Sequence, residues 1–390
     1  MFSLENVMLS IDSFPLKAHT ILFTTAALLL SLFLVHYFSR TKIQLLFSNE
    51  KFQTLINSSP SLKSGKFYSF PPLAFGLGQC YLAGKKYEDD SKLSHTRESF
   101  PYPNGGKASV EWITDKTKTT EFNPNIIAFI IPGLCSKSDA PYLQDLYARL
   151  INNNIRPVVF IPRLNDDKFL LPNSSFVNLL DDIHCGVQYV KTKHPNAKLI
   201  GIGHSYGANC IVNYLAAYNK EKTIVAGISI ANPYDFVGSC WRIRGTIIEK
   251  YIMSGIKELV CKNLDEIARG CSLYKTSMQD IINTTKVKEF DDAFTSKAMG
   301  YKDAMDYYTN ISSDKSVWDV QVPLMSINAE DDPFIYHKGV PISAHEKNDN
   351  LLFVVTRKGG HLGWIEGIFR LRRWYLPIVV DYIHWISKAI

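Results

Sequence analysis

The amino-acid sequence predicts an α/β fold in which helices cover both faces of a mostly parallel central sheet. Strand-like and helical runs alternate after residue 125, in the order IIAFII, a helix over about 140–153, PVVFI, a helix over about 176–193, KLIGIG and TIVAGISI. The strand-like runs are apolar almost throughout, which is typical of strands buried on both faces. Residues 198–215 then pass from a strand pattern through a glycine and a serine into a helix pattern. Together these observations predict an α/β domain organised around one sharp strand-to-helix turn.

Composition excludes several classes of protein. The 390 residues are 46% hydrophobic, which suits one large domain with an appendage or two modest domains and excludes a disordered chain. The formal net charge of +6 is small for this length, and no run of lysines and arginines is present, so we do not expect a nucleic-acid partner. The seven cysteines are scattered and include no C-x-x-C pair. We therefore expect no disulfide framework, no metal site and no cofactor.

An uncharged run near the N-terminus, ILFTTAALLLSLFLVHYF, occupies residues 21–38 and is just long enough to cross a bilayer as a helix. A cleaved signal peptide would have a shorter apolar core and a small-residue cleavage site. We therefore favour an uncleaved single-pass anchor, with a helix over about 20–38 inside an N-terminal segment of residues 1–45. Basic residues are more frequent after the run than before it, which weakly favours a cytosolic C-terminal side.

The remaining chain divides into a tether and a globular domain. Residues 46–66 are polar and lack a clear pattern, so we expect a tether, followed by a domain over residues 67–390. The domain begins with the segment FYSFPPLAFGLGQCYL, residues 67–82, which has no clear periodicity. We expect this segment, called the collar below, to lie on the surface of the domain. Two strand-like runs around an Asn-Gly turn, residues 95–100 and 108–113, suggest an antiparallel start to the sheet.

The βα alternation lapses after TIVAGISI and resumes at VPLMSIN. A loop of that length without secondary structure is uncommon, so residues 233–321 are expected to form a helical cap. LLFVVT, residues 351–356, is the last predicted strand, and a closing helix is expected over residues 374–386.

Ser205 is the candidate nucleophile. It lies in the pentapeptide GHSYG, which has the G-x-S-x-G form of a nucleophile elbow, a tight turn that exposes a serine hydroxyl between a strand and a helix. The pentapeptide alone is weak evidence, because a Gly-Ser turn without chemistry has the same form. The strand before it and the helix after it favour the elbow.

A nucleophilic serine needs a base and a carboxylate that orients the base. Candidates follow the two last predicted strands: Asp331 and Asp332 in NAEDDPF, and His361 in KGGH. Charge alone does not choose between the two aspartates. Glu330 and the aspartate that is not the acid are expected to be solvated turn residues or helix caps.

An oxyanion formed during the reaction needs two backbone N–H groups. In a strand-elbow-helix arrangement one belongs to the residue after the serine, Tyr206, and the other to the turn after the first central strand. That turn is IPGLC, so the N–H of Leu134 is the second candidate.

Several short motifs occur in a recognisable order. They are NGG before SVEW, IPGL, PNSSFVNLLDDI leading into GHSYG, ANPYDF, EFDDAF, DYYTNIS, NAEDDPF and TRKGGHLGWIEG. In these motifs the chain resembles the AB hydrolase 4 family of α/β-hydrolase-domain proteins, from about residue 67 to the C-terminus. That family includes membrane-anchored lipases and medium-chain ester synthases. Two departures are Pro132-Gly133, where the family usually has His-Gly, and Pro162-Arg163, where it usually has Arg-Gly.

The resemblance implies an α/β-hydrolase fold, an N-terminal single-pass anchor and a catalytic triad of Ser205, Asp332 and His361. In the family pattern the acid directly precedes the proline, which favours Asp332 over Asp331. Pro333 also restricts the residue before it to an extended conformation. We therefore expect Asp332 to orient His361.

The resemblance further implies a membrane-anchored serine esterase or lipase that hydrolyses acyl esters of lipids, such as monoacylglycerol or phospholipid. Two alternatives stay open: transfer of the acyl group to an alcohol, and a non-catalytic, membrane-tethered binding protein with the same fold. No histidine is followed by the H-x-x-x-x-D acyltransferase pattern, which favours hydrolysis. The endoplasmic reticulum or another endomembrane is the expected location. Six apolar cap residues suit either an acyl channel or the core of the cap, and core packing is favoured for most of them: Trp241, Ile247, Ile248, Tyr251, Ile252 and Met253.

Overall fold

A single ten-stranded sheet runs through the part of the chain that the computed structural model describes, which is residues 16–117, 125–163, 171–172 and 176–389. The sheet strands are β1 (Arg40–Leu46), β2 (Lys66–Tyr68), β3 (Leu93–Pro101), β4 (Lys107–Asp115), β5 (Ile126–Ile131), β6 (Arg156–Ile161), β7 (Lys198–His204), β8 (Ile224–Ile230), β9 (Leu324–Ala329) and β10 (Leu351–Thr356). A separate small hairpin consists of β11 (Ile365–Glu366) and β12 (Arg372–Arg373).

The strand order is β2-β1-β10-β9-β8-β7-β5-β6-β4-β3. The six central strands, from β10 to β6, are parallel to one another, and the pairs at each edge are antiparallel. The mostly parallel sheet predicted from the sequence is therefore confirmed. The hairpin expected around the Asn-Gly turn is formed by β3 and β4.

Helices cover both faces of the sheet. Before the elbow the chain forms the helices α1 (Leu16–Ser39), α2 (Lys51–Ser58), α3 (Pro60–Lys63), α4 (Gly76–Ala83), α5 (Pro141–Ile151) and α6 (Leu179–Lys193), of which α1 is largely exposed; α7 (Tyr206–Ala217) follows the elbow, and α15 (Tyr375–Ala389) closes the chain. Strand β5 shows why a layer of helices is needed on each face of the sheet. Its alternate side chains Ile126, Ala128 and Ile130 enter one buried cluster, whereas Ile127, Phe129 and Ile131 enter another on the opposite face.

A helical cap lies between β8 and β9, as the sequence predicted. Its helices are α8 (Phe236–Ile243), α9 (Ile247–Lys262), α10 (Leu264–Leu273), α11 (Met278–Asn283), α12 (Val287–Phe290), α13 (Ser296–Ala298) and α14 (Ala304–Ile311), with a π-helical turn at Asp291–Thr295. The cap has its own buried cluster, which includes Met253. Of the six apolar cap residues named above, Ile248 and Met253 are buried, whereas Trp241, Ile247 and Tyr251 are more than half exposed.

The segment expected to be a tether is instead part of the packed domain. Within residues 46–66, residues 51–63 form α2 and α3 and Lys66 begins β2. The end of the segment assigned to the anchor also belongs to the domain, since β1 pairs with β10 on one side and with β2 on the other. Phe52 and Leu55 are fully buried, and the hydroxyl of Ser59 donates to Asp381 of α15 over 2.6 Å. The apolar residues that make these contacts are few and separated by polar ones, so their helical spacing is hard to see in the sequence.

Helix α1 coincides with the run that was expected to cross a bilayer, and residues 1–15 of the predicted N-terminal tail lie outside the described residues. Most of the large apolar side chains over residues 21–34 are exposed. Within the described residues, no helix combines the length and the apolar character that a bilayer crossing requires. The predicted membrane span is therefore not supported.

Candidate active site

The turn between β7 and α7 places the backbone of Ser205 in a conformation that residues other than glycine rarely adopt, with φ 53° and ψ −120°. The turn depends on its two flanking glycines. A Cβ atom on Gly203 would overlap the backbone of Gly207, and one on Gly207 would overlap the carbonyl oxygen of Ile131. The backbone therefore passes too closely here for other residues, and the serine hydroxyl lies at the carboxyl edge of the sheet.

Ser205, His361 and Asp332 form one hydrogen-bonded chain. The Nε2 atom of His361 lies 2.8 Å from the Oγ atom of Ser205, and its Nδ1 atom lies 2.7 Å from Oδ2 of Asp332. The three residues follow β7, β10 and β9, whose carboxyl ends meet at the same edge of the sheet. A neutral imidazole fits both contacts, since Nδ1–H donates to the carboxylate and Nε2 accepts from the hydroxyl.

Neighbouring groups hold the Asp332 carboxylate and the His361 ring in place. Asp332 is fully buried, and its second oxygen, Oδ1, accepts the backbone N–H of Phe334 at 2.8 Å. The ring of Phe334 stacks on the imidazole of His361, with 4.3 Å between ring centroids. The carboxylate is thus satisfied at both oxygens, and the ring is supported on one face.

Asp331 and Glu330, the neighbours of the acid, have different surroundings. Glu330 is exposed, as expected. Asp331 was expected to be a solvated turn residue or a helix cap, and this expectation is wrong. It is largely removed from solvent, and its Oδ1 atom accepts the backbone N–H of Gly360 at 2.9 Å. The reason is that the loop of His361 packs directly on the loop of the two aspartates.

The two backbone N–H groups expected to face an oxyanion come from the elbow and from a turn close to the serine. Tyr206 is the first residue of α7, where an N–H has no partner within the helix. The turn that carries Leu134 is close to the nucleophile, because a Cβ built on Gly133 would lie 3.4 Å from Cβ of Ser205. Over the described residues, neither the Leu134 N–H nor the Tyr206 N–H makes a hydrogen bond to the protein.

Two groups at the site, Cys80 and His204, were not anticipated from the sequence. Cys80 of α4 lies behind His361, and its Sγ atom accepts the backbone N–H of His361 at 3.1 Å. His204, directly before the nucleophile, is fully buried beside the ring of Tyr142, and burial lowers its pKa to about 3, so it stays neutral. The collar that contains Cys80 has no clear periodicity, so no sequence signal pointed to this contact.

The described geometry can be compared with known proteins. Residues 125–368 match the family described as alpha/beta hydrolase fold. The chain belongs to the α/β-hydrolase family. This result confirms the resemblance inferred from the sequence motifs.

Named relatives of this α/β hydrolase include three enzymes. Phospholipase ABHD3 of Mus musculus is 24% identical over 313 residues, which cover 76% of this chain and 74% of the relative. The monoacylglycerol lipase of Saccharomyces cerevisiae is 29% identical over 344 residues, covering 77% and 76% of the two chains. Medium-chain fatty acid ethyl ester synthase/esterase 2 of the same yeast is 24% identical over 377 residues, covering 79% and 83%.

The two departures of this α/β hydrolase from the family motifs have visible structural partners. The N–H of Gly133, after Pro132, is held by the hydroxyl of Tyr142 at 3.0 Å. Arg163 is fully buried, and its guanidinium forms two 2.7 Å hydrogen bonds to Asp182 of α6. The arginine therefore ties the loop after β6 to a helix of the sheet layer.

Proposed function

We propose that this chain is a serine ester hydrolase that acts on acyl lipids of the monoacylglycerol or phospholipid class. The observation that carries the proposal is the hydrogen-bonded chain from Ser205 through His361 to Asp332 on a nucleophile elbow. The family assignment and the named activities of the three relatives support the ester-hydrolase class.

The geometry suits a two-step acyl transfer. Ser205 Oγ attacks the ester carbonyl while Nε2 of His361 takes the hydroxyl proton, and Asp332 stabilises the imidazolium that forms. The N–H groups of Leu134 and Tyr206 stabilise the oxyanion of the tetrahedral intermediate. The intermediate collapses to an acyl-enzyme, and the alcohol leaves with the proton from His361. Water, deprotonated by His361, then attacks the acyl-enzyme and releases the carboxylic acid.

Apolar cap side chains beside the site support an acyl substrate. The ring of Tyr251 packs edge-on against Phe334, with 6.2 Å between centroids, and Phe334 in turn stacks on His361. Tyr251 and the nearby helix residue Ile247 are each about 70% exposed. Exposed apolar side chains this close to the catalytic histidine, one of them in contact with the ring that stacks on it, are suited to a hydrocarbon chain.

Helix α1 supports a lipid-surface location. Large apolar side chains are exposed along it: Ile21, Leu22, Phe23, Leu28, Leu29, Leu30 and Phe33. Exposed apolar surface of this extent is stable when it contacts lipid. We therefore propose that α1 holds the enzyme at the surface that contains its substrate.

Labelling with a fluorophosphonate probe tests the serine mechanism. Wild-type protein should form a covalent adduct on Ser205, and Ser205→Ala should form none while keeping the circular dichroism spectrum of the wild type. Ser99→Ala, in strand β3, is the matched control and should label normally. A folded wild-type protein without an adduct would favour the non-catalytic binding protein.

Acyl transfer is the second candidate function, and the ester synthase/esterase relative favours it. It differs from hydrolysis only in the last step, where an alcohol replaces water as the group that attacks the acyl-enzyme. Turnover of one medium-chain ester in aqueous ethanol separates the two. Ethyl ester as the main product would favour transfer, and free fatty acid would favour hydrolysis.

A further inference from the structure

The carboxylate of Asp331 lies directly beside the acid Asp332 but contacts the histidine loop elsewhere. Its Oδ1 atom accepts the backbone N–H of Gly360 at 2.9 Å, one residue before His361. Its Oδ2 atom is buried and has no hydrogen-bond partner in the part of the chain that the structure describes. A buried carboxylate oxygen without a partner has a cost in stability, which a role for Asp331 at this site explains.

Cys80 makes a second contact to the same stretch of backbone. Its Sγ atom accepts the N–H of His361 at 3.1 Å, so two consecutive N–H groups, of Gly360 and His361, are held by side chains from different elements. Burial and the neighbouring Asp332 raise the pKa of Cys80 to about 12, so it remains a thiol. Cys80 is therefore a neutral acceptor and not a nucleophile.

The three segments that meet here have no space between them. A Cβ atom on Gly76, at the start of α4, would overlap the carbonyl oxygen of Asp331, and one on Gly360 would overlap the carbonyl oxygen of Gly76. The aspartate loop, the histidine loop and α4 thus contact one another through backbone. Such contacts leave few alternative positions for the loop of His361.

We propose that Asp331 and Cys80 are positioning residues that fix the backbone of His361 so that its ring meets Ser205 and Asp332 at once. The inference rests on the proposed hydrolase function. The direction of the ring depends on the backbone at Gly360 and His361, and displacements of about 1 Å in a catalytic group can reduce rates about 100-fold. Asp332 orients the imidazole ring through its Nδ1 atom, whereas Asp331 and Cys80 hold the backbone of Gly360 and His361.

The charged groups around Asp331 give the contact a pH dependence. Burial raises the pKa of Asp331 to about 6, the nearby Asp332 adds to the rise, and the backbone N–H groups of Gly360 and Gly359 and the cation of Lys358 oppose it. The thiol of Cys80 and the imidazole of His361 complete the titratable surroundings. Protonation at low pH turns the carboxylate into a weaker acceptor for the Gly360 N–H.

Two substitutions at Asp331 separate positioning from general stability. Asp331→Ala removes the acceptor, and we expect kcat on a soluble ester to fall by about 10- to 100-fold with KM changed by less than about twofold. Asp331→Asn keeps an oxygen for the Gly360 N–H, so kcat should stay within about fivefold of wild type, and the contribution to the pH–rate profile near pH 6 should disappear. Glu330→Ala, at an exposed residue of the same loop, is the control and should change neither.

Proton NMR gives a second readout that does not depend on turnover. The Nδ1–H proton of His361, hydrogen-bonded to Asp332, should give a downfield resonance. We expect this resonance to broaden or disappear in Asp331→Ala and in Cys80→Ala. It should persist in Asp331→Asn and in Glu330→Ala. Unchanged kcat and an unchanged resonance in folded Asp331→Ala would overturn the proposal. Failure of the wild type to label with fluorophosphonate would instead overturn the proposed function, and the NMR comparison would still decide the positioning role.

Discussion

The two neighbouring aspartates show how position, and not residue type, assigns a role. Asp332 contacts the imidazole at 2.7 Å and a backbone N–H at 2.8 Å, and Asp331 contacts only the backbone of the histidine loop. Both are carboxylates on one loop after β9. Pro333 restricts the backbone of Asp332, whose side chain contacts the ring, whereas the side chain of Asp331 contacts the N–H of Gly360.

Substitution of each aspartate by its isosteric amide tests this assignment. Asp332→Asn should lower kcat by about 10⁴-fold. The amide favours the wrong tautomer of the His361 imidazole, and it carries no negative charge to stabilise the imidazolium. Asp331→Asn should lose far less, since its amide oxygen can still accept the N–H of Gly360. Steady-state kinetics on one soluble ester, with circular dichroism for folding, makes the comparison. If Asp331→Asn is the inactive variant, the two roles are reversed.

At the scale of elements, the elbow between β7 and α7 is defined by close backbone contacts. Gly207 lies against the carbonyl oxygens of Ile131 and Pro132, which belong to the neighbouring strand and to the turn that carries Leu134. The same contact that makes the elbow sharp therefore also holds the serine turn against the turn that carries Leu134. A side chain at Gly207 would push these two turns apart.

Gly207→Ala tests the contact. The added Cβ would overlap backbone atoms that cannot rotate away, so the free energy of unfolding should fall by about 3 kcal/mol or more, and ester hydrolysis should be lost. Gly84→Ala is the matched control, because its Cβ would lie no closer than 3.4 Å to other atoms and its φ is −75°. Urea unfolding monitored by tryptophan fluorescence measures both variants. Equal stability of the two would contradict the argument.

The π-helical turn of the cap links two of the sequence motifs. Asp291 of EFDDAF accepts the hydroxyl of Tyr308 at 2.5 Å, and Asp292 accepts the N–H of Ala304 at 2.7 Å. Both partners lie on α14, which also carries Tyr307, and the hydroxyl of Tyr307 lies 3.1 Å from the hydroxyl of Tyr206. The two aspartates therefore fix a helix that contacts the residue after the nucleophile.

Asp291 should make the stability of the protein depend on pH. Burial raises its pKa from 3.8 to about 6, so the folded state binds the proton more tightly than the unfolded state. The stability that protonation provides is present below pH 3.8 and is lost as the pH rises through about 6. Asp291→Asn keeps an acceptor for Tyr308 without the charge. Relative to wild type, its free energy of unfolding should rise by about 2–3 kcal/mol between about pH 4 and pH 7.

Urea unfolding of wild type and Asp291→Asn at both pH values measures this difference. Comparison of the two proteins at each pH removes the contribution of the other titrating groups, since these are shared. A difference that is the same at both pH values would contradict the expected titration.

At the scale of the whole molecule, β1 joins the N-terminal helix to the catalytic sheet. The strand pairs with β10, and His361 follows the end of that strand on the chain. Helix α1 ends at Ser39 and β1 begins at Arg40, so no linker separates them. The helix proposed to contact lipid is therefore joined directly to a strand that pairs with the strand before His361.

Two truncations separate the contributions of α1 and β1. Removal of residues 1–39 should keep kcat on a soluble short-chain ester within about twofold and lower turnover of vesicle-embedded ester about tenfold or more, because α1 supplies local concentration and no chemistry. Removal of residues 1–46 also removes β1 and exposes the edge of β10, so the melting temperature should fall and aggregation should increase. Equal vesicle turnover by the shorter truncation and the full chain would contradict the role of α1.

The sequence by itself determined those features that depend on local pattern. Hydrophobic periodicity gave the parallel strands and their helices, and the lapse in that alternation gave the cap. The Gly-x-Ser-x-Gly turn and the chain order of Ser205, the Asp331–Asp332 pair and His361 gave the candidate site, and the family resemblance favoured Asp332 within the pair. Each of these depends on residues that are neighbours in the sequence, or on the order in which strands end, so the pattern is visible without coordinates.

Tertiary structure alone decided which distant groups meet. It packed Phe52 and Leu55 into the core although their segment looks polar, because burial depends on what covers a residue as well as on its own pattern. It placed Cys80 behind His361 and gave Asp331 the N–H of Gly360, because three segments from separate parts of the chain come into backbone contact there. Local patterns do not encode the relative position of such segments, and side chains that hold a catalytic loop become visible only when the sheet has brought the segments together.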